Sequence, residues 1–200
     1  MRWFANLIMS RRAERIFSRI RRHLPAEGTI ADIGSGSGHN AEKIRTQTSL
    51  NVQEYDVADI HWTGPGPRLI EERIPAPDGC FQASLLLYVL HYPQDAVTLL
   101  QDVARITVGP IVLLQSTCQG RVSRLALRVR EFFFGRFGYF LAHSAGLLLA
   151  SSCPLMPLRY YTYSNLLADF TAAGLSVAEE SKTGWFGIRR HLFVLTRMVS

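Results

Sequence analysis

Apolar residues recur along this chain with two alternating periods, and the alternation predicts its elements. Four short, mostly apolar runs are typical of buried strands: 29–33, 51–57, 81–87 and 111–115. Helix-like spacing occupies three segments between or after them: 39–46, 93–106 and 165–173. Three further segments have strand character: 68–73, 175–179 and 190–196. Strands that alternate with helices predict an α/β fold, a doubly wound parallel sheet of seven strands.

Two segments lie outside this alternation. Residues 1–25 place Ile16, Phe17 and Ile20 at helical spacing with arginines elsewhere on the wheel, which predicts basic amphipathic helices. Residues 119–160 form a largely apolar insert after the fifth strand, and 137–158 contain no Asp, Glu, Lys or Arg. That stretch is long enough to cross a bilayer. Because the next strands return to the same sheet, a lid-like pair of helices is the favoured interpretation.

Composition indicates one domain over residues 1–200. A hydrophobic content of 48% with 19% charged residues is typical of a globular protein and excludes a disordered one. The three cysteines, Cys80, Cys118 and Cys153, lie far apart and outside C-x-x-C pairs. This pattern favours reduced thiols in a cytoplasmic protein, without a disulfide framework or a metal site.

The positive charge is carried by arginine. The chain has 20 Arg, only 2 Lys and a net charge of +6, with seven Arg in 1–22 and five in 121–136. Stacking aromatic residues are not interleaved with these arginines, as single-stranded nucleic-acid binding would require. Solvated helix faces are therefore favoured, and no nucleic-acid partner is expected. Docking of the two basic segments on an anionic membrane surface is a further hypothesis.

The segment richest in chemical information runs from Asp32 through Gly34, Ser35, Gly36 and Gly38, between a strand and a helix. Glycine allows a tight turn and a close approach of backbone to ligand. The helix start adds unpaired N–H groups and a positive dipole end. This turn predicts a nucleoside-type cofactor. The dinucleotide fingerprint G-x-G-x-x-G would need glycine where the chain has His39, so a dehydrogenase is the least favoured enzyme.

A second acidic residue, Asp56, ends the second strand. A carboxylate there can accept hydrogen bonds from both hydroxyls of a ribose. Asp59, about one turn later, is a weaker rival for this role. A surface aspartate that caps a turn is the alternative without a ligand.

Five segments follow one another at characteristic separations: Asp32–Gly38, Tyr55–Val57, Ile74–Phe81, Val89–Tyr92 and Ala104-Arg105. Together they resemble the type 11 branch of the class I methyltransferases that use S-adenosyl-L-methionine (SAM). The resemblance implies SAM as cofactor and a Rossmann-like sheet. In it, Asp32 and the turn of Gly34, Ser35, Gly36 and Gly38 would hold the methionine end of SAM, Asp56 the ribose, Val57 and Ile74 the adenine, and Leu87 and Tyr88 would flank the sulfur.

His91 follows the fourth strand, at the expected rim of the site. The ordinary pKa of histidine lies near neutrality, so His91 would be able to take a proton from an oxygen or nitrogen acceptor. Ordering of its loop, or lining of the cofactor pocket, explains this residue equally well. Methyl transfer from a sulfonium is accelerated by positioning alone, so a catalytic base is not required.

The chain departs from the family pattern at three places. Gln82 stands where the family has Asp, Val108-Gly109-Pro110 replaces Pro-Gly-Gly, and Thr63–Pro67 replaces a helix. These departures keep open a catalytically degenerate SAM-binding or membrane-associated accessory protein. The favoured interpretation is an enzyme that methylates an O, N or C atom of a small hydrophobic molecule, because the apolar insert occupies the position of the family's substrate lid.

Overall fold

A computed structural model describes residues 2–131, 157–185 and 188–198. Within them, seven strands form one sheet in the order β3-β2-β1-β4-β5-β7-β6. The strands are β1 Thr29–Ile33, β2 Asn51–Asp56, β3 Arg68–Leu69, β4 Ala83–Leu87, β5 Ile111–Cys118, β6 Leu175–Trp185 and β7 Ile188–Arg197. The pairs from β3 to β5 are parallel, whereas β7 is antiparallel to β5 and to β6. The predicted α/β sheet of seven strands is confirmed. Its last pair is antiparallel because β6 and β7 form a hairpin.

Helices pack on both faces of the sheet. They are α1 Arg2–Ile20, α2 His39–Gln47, α3 Ala96–Ile106, α4 Gly120–Glu131 and α5 Tyr163–Ala172, with a 3-10 turn at Arg21–His23. Residues of α1 and α2 pack with Val112 and Leu114 in one core cluster. Residues of α3 and α5 pack with Leu113 and Phe193 in the other. This two-sided cover confirms the doubly wound arrangement and leaves the carboxyl ends of β1, β2, β4 and β5 along one edge, called here the carboxyl edge.

The observed bounds differ from the predicted ones mainly in the last two strands and in β3. The hairpin continues to Trp185, through the polar run that follows Glu179. β6 lies at the end of the sheet, where a strand tolerates polar side chains that a buried parallel strand does not. Residues 68–73 were expected as a strand, but only Arg68 and Leu69 pair with β2.

Of the predicted insert over 119–160, α4 and residues 157–160 belong to the described part of the chain. The intervening residues 132–156, which hold most of the uncharged stretch 137–158, lie outside it. Among the residues that the structure describes, no helix combines the length and the apolar character that a membrane span needs.

Gln82, which stands where the resemblance leads one to expect Asp, anchors the start of β4 to β1. Its side-chain oxygen accepts a hydrogen bond from the Thr29 backbone N–H at 2.7 Å. Its own N–H donates to the Thr29 carbonyl at 2.9 Å. The starts of β1 and β4 are therefore fastened together, and this departure leaves the sheet intact.

Arg105, at the end of α3, holds the segment between β3 and β4 in place. Its guanidinium donates to the Ile74 and Ala76 carbonyls at 3.1 and 2.8 Å, and to Asp78 and Asp102 at 2.7 Å each. Asp102 in turn accepts the Ile74 N–H at 2.6 Å. This arginine therefore has a structural role: it fixes Ile74.

Replacement of this arginine tests that task. Arg105→Met removes four hydrogen bonds, those to the Ile74 and Ala76 carbonyls and to Asp78 and Asp102, so we expect a loss of stability of about 2–3 kcal/mol by urea denaturation. Arg73→Met removes one exposed bond to the same aspartate, and should lose less than about 1 kcal/mol. Equal losses in the two variants would contradict the anchoring role.

Candidate functional site

The glycine turn lies at the carboxyl edge, between β1 and α2. Gly34, Gly36 and Gly38 all have left-handed backbones, with φ of 71°, 59° and 80°. Side chains are excluded at two of them, because a Cβ on Gly34 would lie 2.6 Å from Val89 Cγ2 and one on Gly38 would lie 2.5 Å from the Thr63 carbonyl oxygen. A Cβ on Gly36 would meet nothing within 4 Å. The turn is therefore packed on its flanks and open at its centre.

Asp56 lies directly beside this opening. One carboxylate oxygen accepts the Gly36 N–H at 2.8 Å, and the other accepts the Val57 N–H at 2.7 Å. Each oxygen keeps a lone pair for a further donor. The turn and the end of β2 are also joined by the Gly34 N–H, which donates to the Tyr55 carbonyl at 2.7 Å. The two predicted binding segments therefore form one continuous surface.

Asp32, on β1, is 1% exposed, and neither of its carboxyl oxygens has a hydrogen-bond partner in the described part of the chain. Burial, together with the neighbouring charges of Glu54 and Asp56, raises the pKa of this carboxyl to about 8. A buried ionised carboxylate is costly unless it is paired. Among the described residues, both oxygens of Asp32 remain without a hydrogen-bond donor.

Glu54 is a second buried acid that the sequence analysis missed. It lies on β2 in register with Asp32. Unlike Asp32, it has side-chain partners: it forms a salt bridge with Arg45 on α2 at 2.6 Å and contacts the ring of His61. These three residues come from a helix, a strand and a loop, so no motif of consecutive residues predicts their contact. Of the two acids, Asp32 is the one without a hydrogen-bond partner among the described residues.

The loop of residues 57–67, called here the strap, folds over the glycine turn. The Trp62 N–H donates to the Ser37 carbonyl at 3.2 Å. Its indole meets the ring of His39 edge-on, with centroids 5.9 Å apart. His39 is buried at the first position of α2, and burial lowers its pKa. The strap therefore covers the place where the resemblance leads one to expect a helix.

The end of β4 forms the opposite wall. Tyr88 has a left-handed backbone, with φ of 67°, which is strained for a residue with a side chain. The Arg12 guanidinium of α1 lies over its ring, 5.4 Å from the centroid. Leu87 is buried in the core cluster on the α1 side, and Val89 packs against Gly34. Strained backbone of this kind is found at functional sites, and here it lies beside the glycine turn.

His91 is buried behind this wall and contacts Gln115 of β5, with Nδ1 of the ring 3.0 Å from Nε2 of the amide. An amide nitrogen only donates, so the ring accepts at Nδ1 and carries its proton on Nε2. Rotation of the amide by half a turn would reverse both roles. The two side chains line a small cavity together with Ser116, Leu127, Tyr160 and Tyr161. The Gln115 oxygen is buried without a partner among the described residues.

Two further predicted residues differ sharply in exposure. Val57 follows β2 and its side chain is 53% exposed beside Asp56. Ile74 is 2% exposed and packs with Tyr55 and Phe81 in the core. The structure thus brings Asp32, the glycine turn, Asp56, Val57 and Tyr88 to one edge. Ile74 and Leu87 support that edge from the core, and the roles given to all these residues stay predictions.

No protein-family model matches the chain, and neither does any curated protein sequence. Solved structures do match. A SAM-dependent methyltransferase from Methanosarcina mazei aligns over 90% of this chain and 97% of its own, with TM-score 0.64 and 13% identity. Geranyl diphosphate C-methyltransferase from Streptomyces coelicolor aligns over 94% and 80%, with TM-score 0.60 and 12% identity. The cyclase SpnF aligns over 96% and 82%, with TM-score 0.65 and 11% identity.

These likenesses concern the fold, since all identities are low. The chain has the Rossmann-like fold of the class I SAM-dependent methyltransferases, with a sheet that matches in strand number and direction. The fold that the resemblance implied is thereby confirmed. The glycine turn, Asp32 and Asp56 lie at the edge of the sheet where this class of fold places its ligands.

The unpartnered carboxyl of Asp32 gives a prediction about pH. The unfolded chain releases this proton near pH 3.9, whereas the folded protein keeps it up to about pH 8. Wild-type stability should therefore fall as pH rises between these values. Asp32→Asn has no such proton, so its stability relative to the wild type should rise across this window by on the order of a few kcal/mol. Urea denaturation at several pH values measures the difference in free energy of unfolding between Asp32→Asn and the wild type. A difference that stays constant with pH would contradict a raised pKa at Asp32.

Proposed function

We propose that this protein binds SAM at the carboxyl edge and transfers its methyl group to a small molecule. The observation that carries the proposal is the bare, buried carboxyl of Asp32 next to a glycine turn that is open at Gly36. An ammonium group satisfies such a carboxyl, and the open turn admits a ligand to the backbone. The amino acid part of SAM has both an ammonium group and a carboxylate.

The residues present fit the other parts of SAM as well. The lone pairs left on Asp56 suit the two ribose hydroxyls. The exposed side chain of Val57 offers an apolar surface to the adenine. The backbone N–H groups at the start of α2, whose first residue follows Gly38 without a side-chain cap, suit the carboxylate. Ile74 acts from the core by supporting the wall next to Tyr55.

When bound, SAM supplies a methyl group on a positively charged sulfur, which is a good leaving group. The protein then has to hold the acceptor in line with that methyl and keep water out. Tyr88, fixed by Arg12 and by its strained backbone, lies at the wall nearest the turn. His91 binds the acceptor through its ring. It accepts a proton at Nε2 only when Gln115 presents its oxygen to Nδ1.

The proposed acceptor is a small, mainly apolar molecule with a polar end. The neighbours support this class: one acts on geranyl diphosphate and another on 1,6-didemethyltoxoflavin, each a small molecule. In this chain, Leu127, Tyr160 and Tyr161 line the cavity together with Arg159, and its volume of about 10 Å³ has room only for the polar end of such a molecule. In the observed orientation, in which the amide nitrogen faces His91, the buried oxygen of Gln115 suits an O–H or N–H donor on the acceptor. In the rotated orientation this oxygen faces His91 Nδ1 instead, so the two roles exclude each other.

A second candidate function is binding of SAM without methyl transfer. The likeness to SpnF supports it, because that neighbour is described as a cyclase. One fold hosts many chemistries. Binding by this chain, combined with no transfer to any of a wide panel of apolar acceptors, would favour this second candidate.

Ribose recognition is tested by a matched pair of aspartates. Asp56→Asn should weaken binding of S-adenosylhomocysteine (SAH), measured by isothermal titration calorimetry, by about tenfold or more, because an ionised acceptor is lost. Asp59→Asn should leave the affinity unchanged, since Asp59 serves its own loop by accepting the His61 N–H. Equal effects of the two changes would contradict the assignment, and failure of the wild type to bind SAH would refute the proposed function.

The role of His91 is tested by separating binding from transfer. His91→Ala should lower kcat by about a hundredfold, while the affinity for SAH stays within about twofold of the wild type. A second variant, Gln115→Leu, removes the partner that fixes the ring, and should shift the pH profile of kcat. Unchanged kcat in His91→Ala would show that positioning by other residues suffices.

A further inference from the structure

We propose that the first half of α1 and the outer face of α4 dock this protein on an anionic lipid surface, with the carboxyl edge turned towards the lipid. The docking face is formed by Trp3, Ile8 and Arg11 of α1, together with Arg124, Leu125, Arg128 and Val129 of α4. Docking is independent of the proposed function, because neither helix face includes a predicted cofactor contact.

The first half of α1 projects beyond the sheet. Only a short segment separates the end of α1 at Ile20 from the start of β1 at Thr29, so the end of the helix lies near the amino ends of the strands. Arg12 already reaches Tyr88 at the carboxyl end of β4. The residues before Arg12 therefore continue past the carboxyl edge by roughly 15 Å, at 1.5 Å per residue.

This projecting half carries large apolar side chains in the open. Trp3 is 76% exposed and Ile8 is 48% exposed. Farther along the same helix, Ile16, Phe17 and Ile20 are buried against the sheet. In α1, therefore, Ile16, Phe17 and Ile20 stabilise the fold, whereas Trp3 and Ile8 stay exposed.

α4 presents a similar surface at the same edge. It begins at Gly120, directly after β5 ends at Cys118. Ser123 and Leu127 face inward, whereas Leu125 and Val129 are 61% and 47% exposed. Arg124 and Arg128, also exposed, lie one turn apart beside them. An apolar row flanked by arginines is the pattern of a helix that lies in a membrane interface.

The excess of arginine over acidic residues on α1 and α4 favours an anionic lipid surface as the partner of the docking face. α1 contains five arginines and one acid, and α4 contains four arginines and one acid. Arginine suits this position, because its stem covers apolar surface while its head stays at the lipid headgroups. A nucleic acid would also attract these arginines, but it would leave Ile8, Leu125 and Val129 in water. The lipid surface satisfies both the charges and the apolar side chains.

The experiment is co-sedimentation of the full chain with vesicles at low ionic strength. We expect the protein to bind vesicles that contain phosphatidylglycerol and phosphatidylcholine in equal amounts, and to bind pure phosphatidylcholine at least about tenfold more weakly. Salt should release it, because the attraction between exposed charges is screened.

Matched variants locate the surface. Leu125→Ser with Val129→Ser should weaken binding about tenfold, whereas Val108→Ser should have no effect, although Val108 is 66% exposed at the opposite edge. Arg124→Gln with Arg128→Gln should also weaken it about tenfold, while Arg21→Gln, in the turn that follows α1, should not. These substitutions are on exposed positions, and an unchanged circular dichroism spectrum and Tm confirm that each variant is folded.

Three results would overturn the proposal. The first is that the protein stays in the supernatant with anionic vesicles, and the second is that it binds neutral and anionic vesicles equally. The third is that the Val108 and Arg21 control variants lose as much vesicle binding as the α4 variants. Tight binding of a duplex oligonucleotide that is lost in the arginine variants, without vesicle binding, would assign the face to a nucleic acid instead. None of these results depends on SAM binding, so failure here is distinguishable from failure of the proposed function.

Discussion

Asp32, a buried acid without a hydrogen-bond partner among the described residues, is the constraint around which the carboxyl edge is organised. Desolvation of a carboxylate at such a position is unfavourable, and the raised pKa keeps Asp32 protonated in the free protein at neutral pH. Two neighbouring acids, Glu54 and Asp56, add to the cost of ionisation. Such an arrangement gains from a ligand cation, and a glycine turn open at Gly36 gives that ligand access.

The strap and the wall at the end of β4 show how the surroundings accommodate this acid. Arg45 forms a salt bridge with Glu54 and the ring of His61 contacts it, so the acid beside Asp32 has partners of its own. The strap that brings His61 also closes over the Ser37 carbonyl, and its fit beside Gly38 leaves no room for a side chain there. On the other side, Tyr88 holds a strained backbone under Arg12. The turn is thus fixed from both flanks and free only at its centre.

The sequence predicted those parts of the molecule that depend on local chemistry. The glycine turn and Asp56 were found because glycine at left-handed positions and an acid at a strand end leave a pattern in consecutive residues. The cluster of Glu54, Arg45 and His61 left none, since it joins three elements by long-range contacts. The left-handed backbone of Tyr88 was missed because a tyrosine carries no signal for positive φ. The length of β6 was missed because its polar residues at a sheet end look like those of a loop.

Calorimetric titration with SAH near neutral pH, in two buffers that differ in ionisation enthalpy, tests the central claim most directly. In the free protein, Asp32 is protonated at this pH, and an ammonium group beside it would favour the ionised carboxylate. The account therefore predicts that binding releases about one proton from the wild type and close to none from Asp32→Asn. Binding with the same proton count in both proteins, or no binding of SAH by the folded wild type, would contradict it.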